Sequence, residues 1–246
     1  MKNILIFVLS ALFSIQGFSQ KNFARKDGGA SGAANSNYDL FSRTIDINQK
    51  DMSFGLTKAE FDAIKDDAYL NIKFIPGNIY QDENLLKSNV LMRYNAYADE
   101  IEITENVQKK SKYGALMKDP SIYVKIANDI FVFIPYNDSN EKGGYFNIIA
   151  DGKNYDLYKK TTSVFKEPRK AKSSYDSDTP PSFEKTTKYY LVENGVFFEL
   201  PKSRSRILKA MDLKKNEVKK YVKENSLDVF KEADLIKVFI YYDSLL

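Results

Sequence analysis

Residues 189–200 read Tyr189-Tyr190-Leu191-Val192-Glu193-Asn194-Gly195-Val196-Phe197-Phe198-Glu199-Leu200, two apolar runs joined through Asn-Gly. Aromatic and β-branched residues favour strands, and Asn-Gly between two such runs is a strong signal for a tight β-hairpin. The same pattern recurs upstream, where Asn128-Asp129 joins runs 121–127 and 130–135 and Asp151-Gly152 joins 145–150 to 153–159. Turns this short connect antiparallel strands, so the sequence predicts an antiparallel meander.

The preceding residues show the period-two alternation of strands. Strands are expected at 69–74, 79–80, 90–97 and 99–104, with a turn at Pro76-Gly77-Asn78. In 99–104, Ile101 and Ile103 alternate with Glu100 and Glu102, which predicts a half-exposed strand with both carboxylates in solvent. We expect about eight to ten short strands within residues 69–200, and the pattern leaves open whether the sheet is curved or barrel-like.

Helical signals flank this sheet. Thr57 to Glu60 fits a capping box that opens a short helix. After residue 200, Ser203 is expected to cap a helix over 204–211, Asp212 to cap one over 213–225, and a third covers 232–245.

The apolar stripes of these helices must be buried. We therefore expect a C-terminal cluster of three short helices (203–245) on one face or edge of the sheet (69–200). Together they form a single α+β domain over residues 56–246, in which the polar segment 166–188 is expected to be a long loop.

The N-terminus has the pattern of a secretory signal peptide over residues 1–19: a positively charged start, an apolar run, and small residues Gly17 and Ser19 before a cleavage site. The alternative is a membrane anchor, but the run is shorter than the roughly 20 residues that span a bilayer. Residues 20–55 are polar and rich in small residues, which predicts a flexible lead-in. We expect an exported protein, periplasmic or extracellular, with no transmembrane segment after cleavage.

The composition excludes much familiar chemistry. The 246 residues include 0 Cys, 0 His and 0 Trp, which removes disulfides, thiolate or imidazole metal sites, His-based triads and the lipidated Cys of a lipoprotein anchor. Phosphate-binding glycine motifs and the nucleophile elbow are also missing from the sequence. We expect no catalytic residue, no cofactor and no metal ligand.

Carboxylates are the chemistry that remains, because a glycoside hydrolase needs only two acids facing a cleft. Asp99, Glu100, Glu102 and Glu105 are the densest acidic group, although their alternation favours a solvated face. Asp176 and Asp178 have the spacing of two calcium ligands but lack the glycine of the EF-hand turn.

Charge is distributed unevenly although the formal net charge is only +4. Residues 56–105 carry five basic and ten acidic residues, a net of −5, whereas 201–231 carry ten basic and four acidic, a net of +6. The basic segment predicts contact with an anionic surface, a glycan or an acidic envelope protein through Arg204, Arg206, Lys219 and Lys220, unless these are simply solvated helix residues. Nucleic acid is not expected, since aromatic and basic residues occupy different regions.

A second group of candidate contacts lies in the sheet. Arg93 stands between Met92 and Tyr94 in an apolar run, where a guanidinium needs a partner. It is either a recognition residue for an anionic ligand, the member of a structural ion pair, or an outward-facing side chain. Tyr94 and Tyr97 accompany it, and tyrosines on a sheet face can bind glycans, peptides or apolar ligands.

Two stretches carry a resemblance. They are Tyr69-Leu70-Asn71-Ile72-Lys73-Phe74-Ile75-Pro76-Gly77-Asn78-Ile79-Tyr80 and Leu91-Met92-Arg93-Tyr94-Asn95-Ala96-Tyr97-Ala98-Asp99-Glu100-Ile101-Glu102-Ile103, with the tail 214–225 and 234–245. Together they resemble uncharacterised exported proteins of flavobacteria and related Bacteroidota over residues 56–246. The resemblance implies residence in the envelope or outside a Gram-negative cell and assigns no catalytic role.

Three classes of function follow from these observations. The favoured one is a non-enzymatic envelope or secreted binding or accessory protein. The alternatives are a carrier of an apolar ligand or lipid on a curved sheet and a carboxylate-only glycan hydrolase.

Overall fold

The three-dimensional structure is a computed structural model that describes residues 42–44, 54–104, 114–136, 139–173 and 175–246. The signal peptide expected at 1–19, Glu105 and most of the lead-in expected at 20–55 lie outside the described residues.

One antiparallel sheet dominates the described part of the chain and contains eleven strands. They are β1 (Ser42–Thr44), β2 (Ile75–Gln81), β3 (Asn84–Asn95), β4 (Glu100–Thr104), β5 (Gly114–Leu116), β6 (Ile122–Ile126), β7 (Asp129–Tyr136), β8 (Ser139–Asp151), β9 (Asp156–Lys166), β10 (Ser182–Glu193) and β11 (Val196–Glu199). Ten of them lie within 69–200, as expected, but β3, β8, β9 and β10 have 11 to 13 residues and are longer than expected.

Four α-helices accompany the sheet in the described residues: α1 (Lys58–Ile64), α2 (Arg204–Ala210), α3 (Lys215–Glu224) and α4 (Glu232–Ser244). Short 3₁₀ turns cover Lys65–Ala68 and Asp212–Lys214. The predicted α+β class with an antiparallel sheet is confirmed. None of the described helices combines the length and apolar character needed to cross a membrane.

The strand order is β1-β5-β4-β3-β2-β6-β7-β8-β9-β10-β11. Two meanders therefore meet at β2 and β6, and the sheet is open, with β1 and β11 at its edges. Strands β3 and β9 are five strand spacings apart, about 24 Å in a flat sheet. Yet the Tyr94 hydroxyl lies 3.0 Å from the Thr161 carbonyl oxygen, and the Ser163 N–H donates to the Ala96 carbonyl at 3.0 Å. The sheet is consequently strongly curved.

Two apolar clusters fill the inner face of this curved sheet. The first collects side chains of β2 to β8, among them Met92, Ile103 and Phe133. The second joins β9 and β10 to helices α2, α3 and α4 through residues such as Leu191 and Phe239. Burial of these side chains is the main stabilising contribution to the fold.

The predicted hairpin turns are confirmed at three places. Ala127 and Asn128 join β6 to β7, residues 152–155 join β8 to β9, and Asn194-Gly195 joins β10 to β11. Asn194 and Gly195 both have positive φ (49° and 78°), the geometry for which Asn-Gly is selected.

The turn expected at Pro76-Gly77-Asn78 is wrong, because these residues lie inside β2. A Cβ at Gly77 would overlap the carbonyl oxygen of Lys125 on β6, so glycine here permits close approach of two strands. The chain turns instead after Gln81, where Asp82 has φ 52°. The strand expected at 69–74 is also wrong, since only Tyr69 forms an isolated bridge.

Helix boundaries agree with the sequence in part. The Thr57–Glu60 capping box is present. Asp212 does not cap a helix; it lies in a 3₁₀ turn, and the neighbouring Leu213 is 70% exposed instead of joining the apolar stripe. Ser203 occupies the N-cap position of α2 without a side-chain hydrogen bond.

Candidate functional site

A pocket of about 210 Å³ lies where β10, β11 and the helical region meet. Its floor is apolar and is formed by Leu200, Ile207, Val229 and Leu235. We call this concavity the β10 pocket. An apolar concavity with a few polar groups at its mouth is the usual form of a binding site.

The rim of the β10 pocket is mixed. It consists of Thr186, Thr187, Lys188, Tyr189, Glu199, Pro201, Lys202 and Phe230. Phe230 is 60% exposed, which is high for an aromatic side chain beside an apolar floor. Lys188 is neutralised by Glu199 at 2.9 Å, and its pKa is raised by that hydrogen bond.

Three cations lie close together in the chain, and the first of them is on the pocket rim. Lys202 lies on the rim, and Arg204 and Arg206 are exposed on α2, which also contributes Ile207 to the floor. Within the described ranges these three side chains have no ion pair or hydrogen bond to an acidic group. They leave an uncompensated positive charge next to an apolar cavity.

The position of α4 is set by Glu232, its first residue. The Glu232 carboxylate accepts hydrogen bonds from Lys159 Nζ at 2.9 Å and from the Tyr189 hydroxyl at 3.0 Å, both from the sheet. Burial and, secondarily, the Glu232 charge raise the pKa of Tyr189 to about 12. This contact fixes Leu235, one turn further along α4, over the pocket.

The structure places the predicted site residue Arg93 in a structural pair. Its Nε donates to Glu102 Oε2 at 2.7 Å, its Nη1 to the Ile72 carbonyl at 2.8 Å, and its guanidinium stacks on Tyr69 and Phe74. Arg93 is 11% exposed and Glu102 is fully buried. Of the three interpretations of Arg93, the structure therefore matches the structural ion pair, whose partner is Glu102.

The prediction that residues 99–104 form a half-exposed strand is wrong. All five residues of β4 are buried, because Arg93 and the preceding residues 69–74 cover the face that carries Glu100 and Glu102. Asn95 donates to Glu102 Oε1 at 2.7 Å, so the second carboxylate oxygen is also paired. Alternation identified the two faces correctly but could not show that the polar face is covered.

Tyr94 and Tyr97 lie apart from each other and from the β10 pocket. The Tyr94 hydroxyl is buried and donates to Asp99 Oδ1 at 2.7 Å, and burial raises its pKa. Tyr97 is 41% exposed and packs edge-on against Phe54 and Phe183. Both tyrosines serve local packing in this arrangement.

None of the four predicted basic contacts lines the pocket. Arg204 and Arg206 are exposed on α2, the helix that contributes Ile207 to the floor, whereas Lys219 and Lys220 are exposed on α3, which contributes no lining residue. Lys220 approaches Glu224 at 3.9 Å. Sequence reasoning missed Lys202 and Phe230, for which the available signal was their position next to buried apolar residues at 200 and 229.

Two other acidic groups have structural partners. Asp176 pairs with Arg169 at 2.6 Å, and Asp178 pairs with Lys170 at 2.8 Å, so each carboxylate has a basic partner. This segment is shorter than expected: β10 already begins at Ser182, so the loop covers 167–181. In the ranges that the structure covers, no group of three or more Asp or Glu side chains is arranged to hold a metal ion.

A third acidic group surrounds the β8–β9 turn. Asp243 near the end of α4 accepts the backbone N–H groups of Lys153, Asn154 and Tyr155 at 2.6 to 3.0 Å. Burial and a hydrogen bond with Asp151 raise the pKa of Asp156 to about 7. The Asp243 contacts attach the end of α4 to the sheet.

Comparison of the chain with protein-family models, curated proteins and solved structures found no match.

Proposed function

We propose that this is an exported, non-enzymatic binding protein whose β10 pocket receives an apolar group of an anionic partner. One observation carries the proposal: Lys202, which lines the apolar cavity, and Arg204 and Arg206, which follow it on helix α2, have no acidic partner in the described residues. Desolvating the apolar group supplies affinity, and the cations attract and orient the partner. The secretory pattern of residues 1–19 supports an envelope or extracellular location.

The size of the pocket favours this function over lipid transport. At about 210 Å³ the β10 pocket is smaller than the roughly 300–1,000 Å³ of typical small-molecule sites. It has room for a side chain or a similar group, with the remainder of the partner outside. A binding contact with a macromolecule suits such a cavity better than enclosure of a whole ligand.

Two of the four carboxylates considered for hydrolysis are engaged in ion pairs. Glu102 is held by Arg93 and Asn95, and Asp99 is held by Lys160. A catalytic pair must face a cleft that admits substrate. These contacts support binding over glycan hydrolysis.

Site-specific photocross-linking in intact cells tests the proposal. A benzophenone amino acid replaces Phe230 at the pocket rim, and the control places it at Ile240, which is 56% exposed on α4 but does not line the pocket. We expect an adduct with an anionic species from position 230 only.

Charge reversal gives the matched comparison. The triple variant Lys202→Glu, Arg204→Glu, Arg206→Glu should abolish the adduct, whereas Lys219→Glu with Lys220→Glu should keep it. An adduct that forms equally in both variants would contradict the proposal.

Sequencing of the secreted chain should find Gln20 at its N-terminus; retention of residues 1–19 would contradict cleavage.

A further inference from the structure

Strand β10 has an open edge next to the β10 pocket. Strand β10 covers Ser182–Glu193, and β9 pairs with it from Ser182 to Val192. On the other side, β11 pairs only with Tyr190–Glu193, and the chain then leaves the sheet at Leu200. Among the described residues, the first half of β10 therefore has a neighbouring strand on one side only.

The direction of the free backbone groups follows from one hydrogen bond. Leu200 N–H donates to the Tyr189 carbonyl at 2.7 Å, so Tyr189 directs its backbone groups toward the β11 side. Because every second residue of a strand presents its N–H and C=O to the same edge, Lys185 and Thr187 point the same way. In the part of the chain that the structure describes, neither residue has a hydrogen-bond partner on that side.

We infer that the partner is a polypeptide with an extended acidic segment that adds to the sheet as a strand along Lys185 and Thr187. This inference rests on the proposed function and specifies its partner. Thr187 also lines the β10 pocket, so a segment paired at this edge brings its side chains to the cavity. Strand addition combines main-chain hydrogen bonds for affinity with a pocket for an alternate side chain.

Charge argues for an acidic segment. The two lysines on the edge itself are neutralised, Lys188 by Glu199 at 2.9 Å and Lys185 by Asp67 at 3.5 Å. Lys202, Arg204 and Arg206, just past the end of β11, have no acidic partner among the described residues. A second copy of this chain would bring the same cations to the interface, so edge-to-edge dimerisation is disfavoured.

The test uses a fluorescein-labelled nine-residue peptide of alternating glutamate and valine and the full-length mature protein. Fluorescence anisotropy measures binding, and amide hydrogen exchange measures protection of Lys185 and Thr187. We expect both amides to exchange about tenfold more slowly in the complex. A peptide N-methylated at alternate residues, which keeps its charge but loses strand pairing, should bind about tenfold more weakly.

Two substitutions of Thr187 test the same hydrogen bonds from the side of the protein. Thr187→Pro removes the outward N–H without touching the β9 ladder, and proline is tolerated on edge strands. Thr187→Val keeps the N–H. We expect the proline variant to weaken binding clearly more than the valine variant, and equal losses would overturn strand addition. The N-methylated peptide provides the same test on the unaltered protein if the proline variant does not fold.

The outcomes separate this inference from the proposed function. Peptide binding without protection of Lys185 and Thr187 would overturn strand addition and leave the pocket function standing. Equal binding of a lysine–valine peptide would overturn the acidic partner. No peptide binding, together with a charge-dependent adduct at position 230, would refute this inference alone, and a dimer formed through β10 would replace it.

Discussion

Asp99 Oδ1 accepts the backbone N–H of Tyr145 at 3.1 Å, at a point where β8 and β9 no longer pair. The other carboxylate oxygen of Asp99 pairs with Lys160 Nζ at 2.5 Å. The Asp99 carboxylate, in the turn between β3 and β4, thus lies between β8 and β9 where these two strands diverge. It accepts the Tyr145 N–H, which a neighbouring strand would otherwise accept. Burial lowers the pKa of Lys160, and the Asp99 charge opposes that effect.

Replacing Asp99 by alanine should destabilise the fold strongly. The substitution leaves the Lys160 ammonium, which is 12% exposed, without its counter-ion. Breaking such a buried pair costs about 3 kcal/mol of unfolding free energy. Urea denaturation measures it, with Asp67→Asn as the control, because Asp67 is 66% exposed in its pair with Lys185 and should cost less than about 0.5 kcal/mol. Equal losses in both variants would contradict the role of Asp99.

A side chain at Gly144 should destabilise the fold. A Cβ at this position would overlap Asp99 Oδ2 and lie 2.5 Å from Lys160 Nζ. We expect Gly144→Ala to cost about 1–3 kcal/mol by overpacking. Because Lys160→Ala empties part of that space, Gly144→Ala should cost less in the Lys160→Ala background than alone. If the losses of unfolding free energy from Gly144→Ala and Lys160→Ala are strictly additive in urea denaturation, the two residues are not in contact.

The Arg93–Glu102 pair should behave as a coupled unit. Glu102→Gln removes the charge that compensates Arg93, and Arg93→Met leaves the Glu102 carboxylate buried alone. Each single change should cost about 3–5 kcal/mol, and the double variant should cost clearly less than the sum. A double-mutant cycle by urea denaturation measures the coupling, and Lys188→Gln with Glu199→Gln supplies an exposed pair as control. A coupling energy near zero would exclude the buried pair.

How far the sequence predicts this molecule depends on the range of the interaction that decides each feature. Hairpins set by local turn chemistry, such as Asn194-Gly195, and the Thr57–Glu60 capping box were predicted, because their causes lie within a few residues. The turn at Gly77 and the exposure of Glu102 were mispredicted, because strand β6 and the 69–74 segment decide them across the fold.

The candidate site divides in the same way. A basic segment is visible in sequence, which is how Arg204 and Arg206 were found. That Lys202 borders a cavity, whereas Lys219 lies on another helix away from it, depends on where β11 ends and α2 begins. The open edge of β10 depends on the unequal lengths of β10 and β11, whereas the sequence predicts residues 182–188 as part of a loop.

The stability of the protein should depend on pH through Asp156. Its pKa is raised to about 7 by burial, by the hydrogen bond with Asp151 and by the nearby Asp151 and Asp243 charges, with the Gly152 N–H acting in the opposite direction. An aspartate in an unfolded chain has a pKa near 3.9, so between about pH 4 and pH 7 the folded protein binds more protons than the unfolded chain. The contribution of Asp156 to the unfolding free energy therefore falls as the pH rises through this window and is constant above it.

Asp156→Asn isolates this effect, because an amide can still donate toward Asp151 but does not titrate. The unfolding free energy of the unaltered protein minus that of Asp156→Asn should be larger at pH 5 than at pH 8, measured by urea denaturation. Ser205→Ala, a change at an exposed residue of α2 that has no titratable group, is the control and should show the same difference at both pH values. A pH-independent difference for Asp156→Asn would mean that this carboxyl group titrates normally in the folded state, and that the turn held by Asp243 is not sensitive to its protonation.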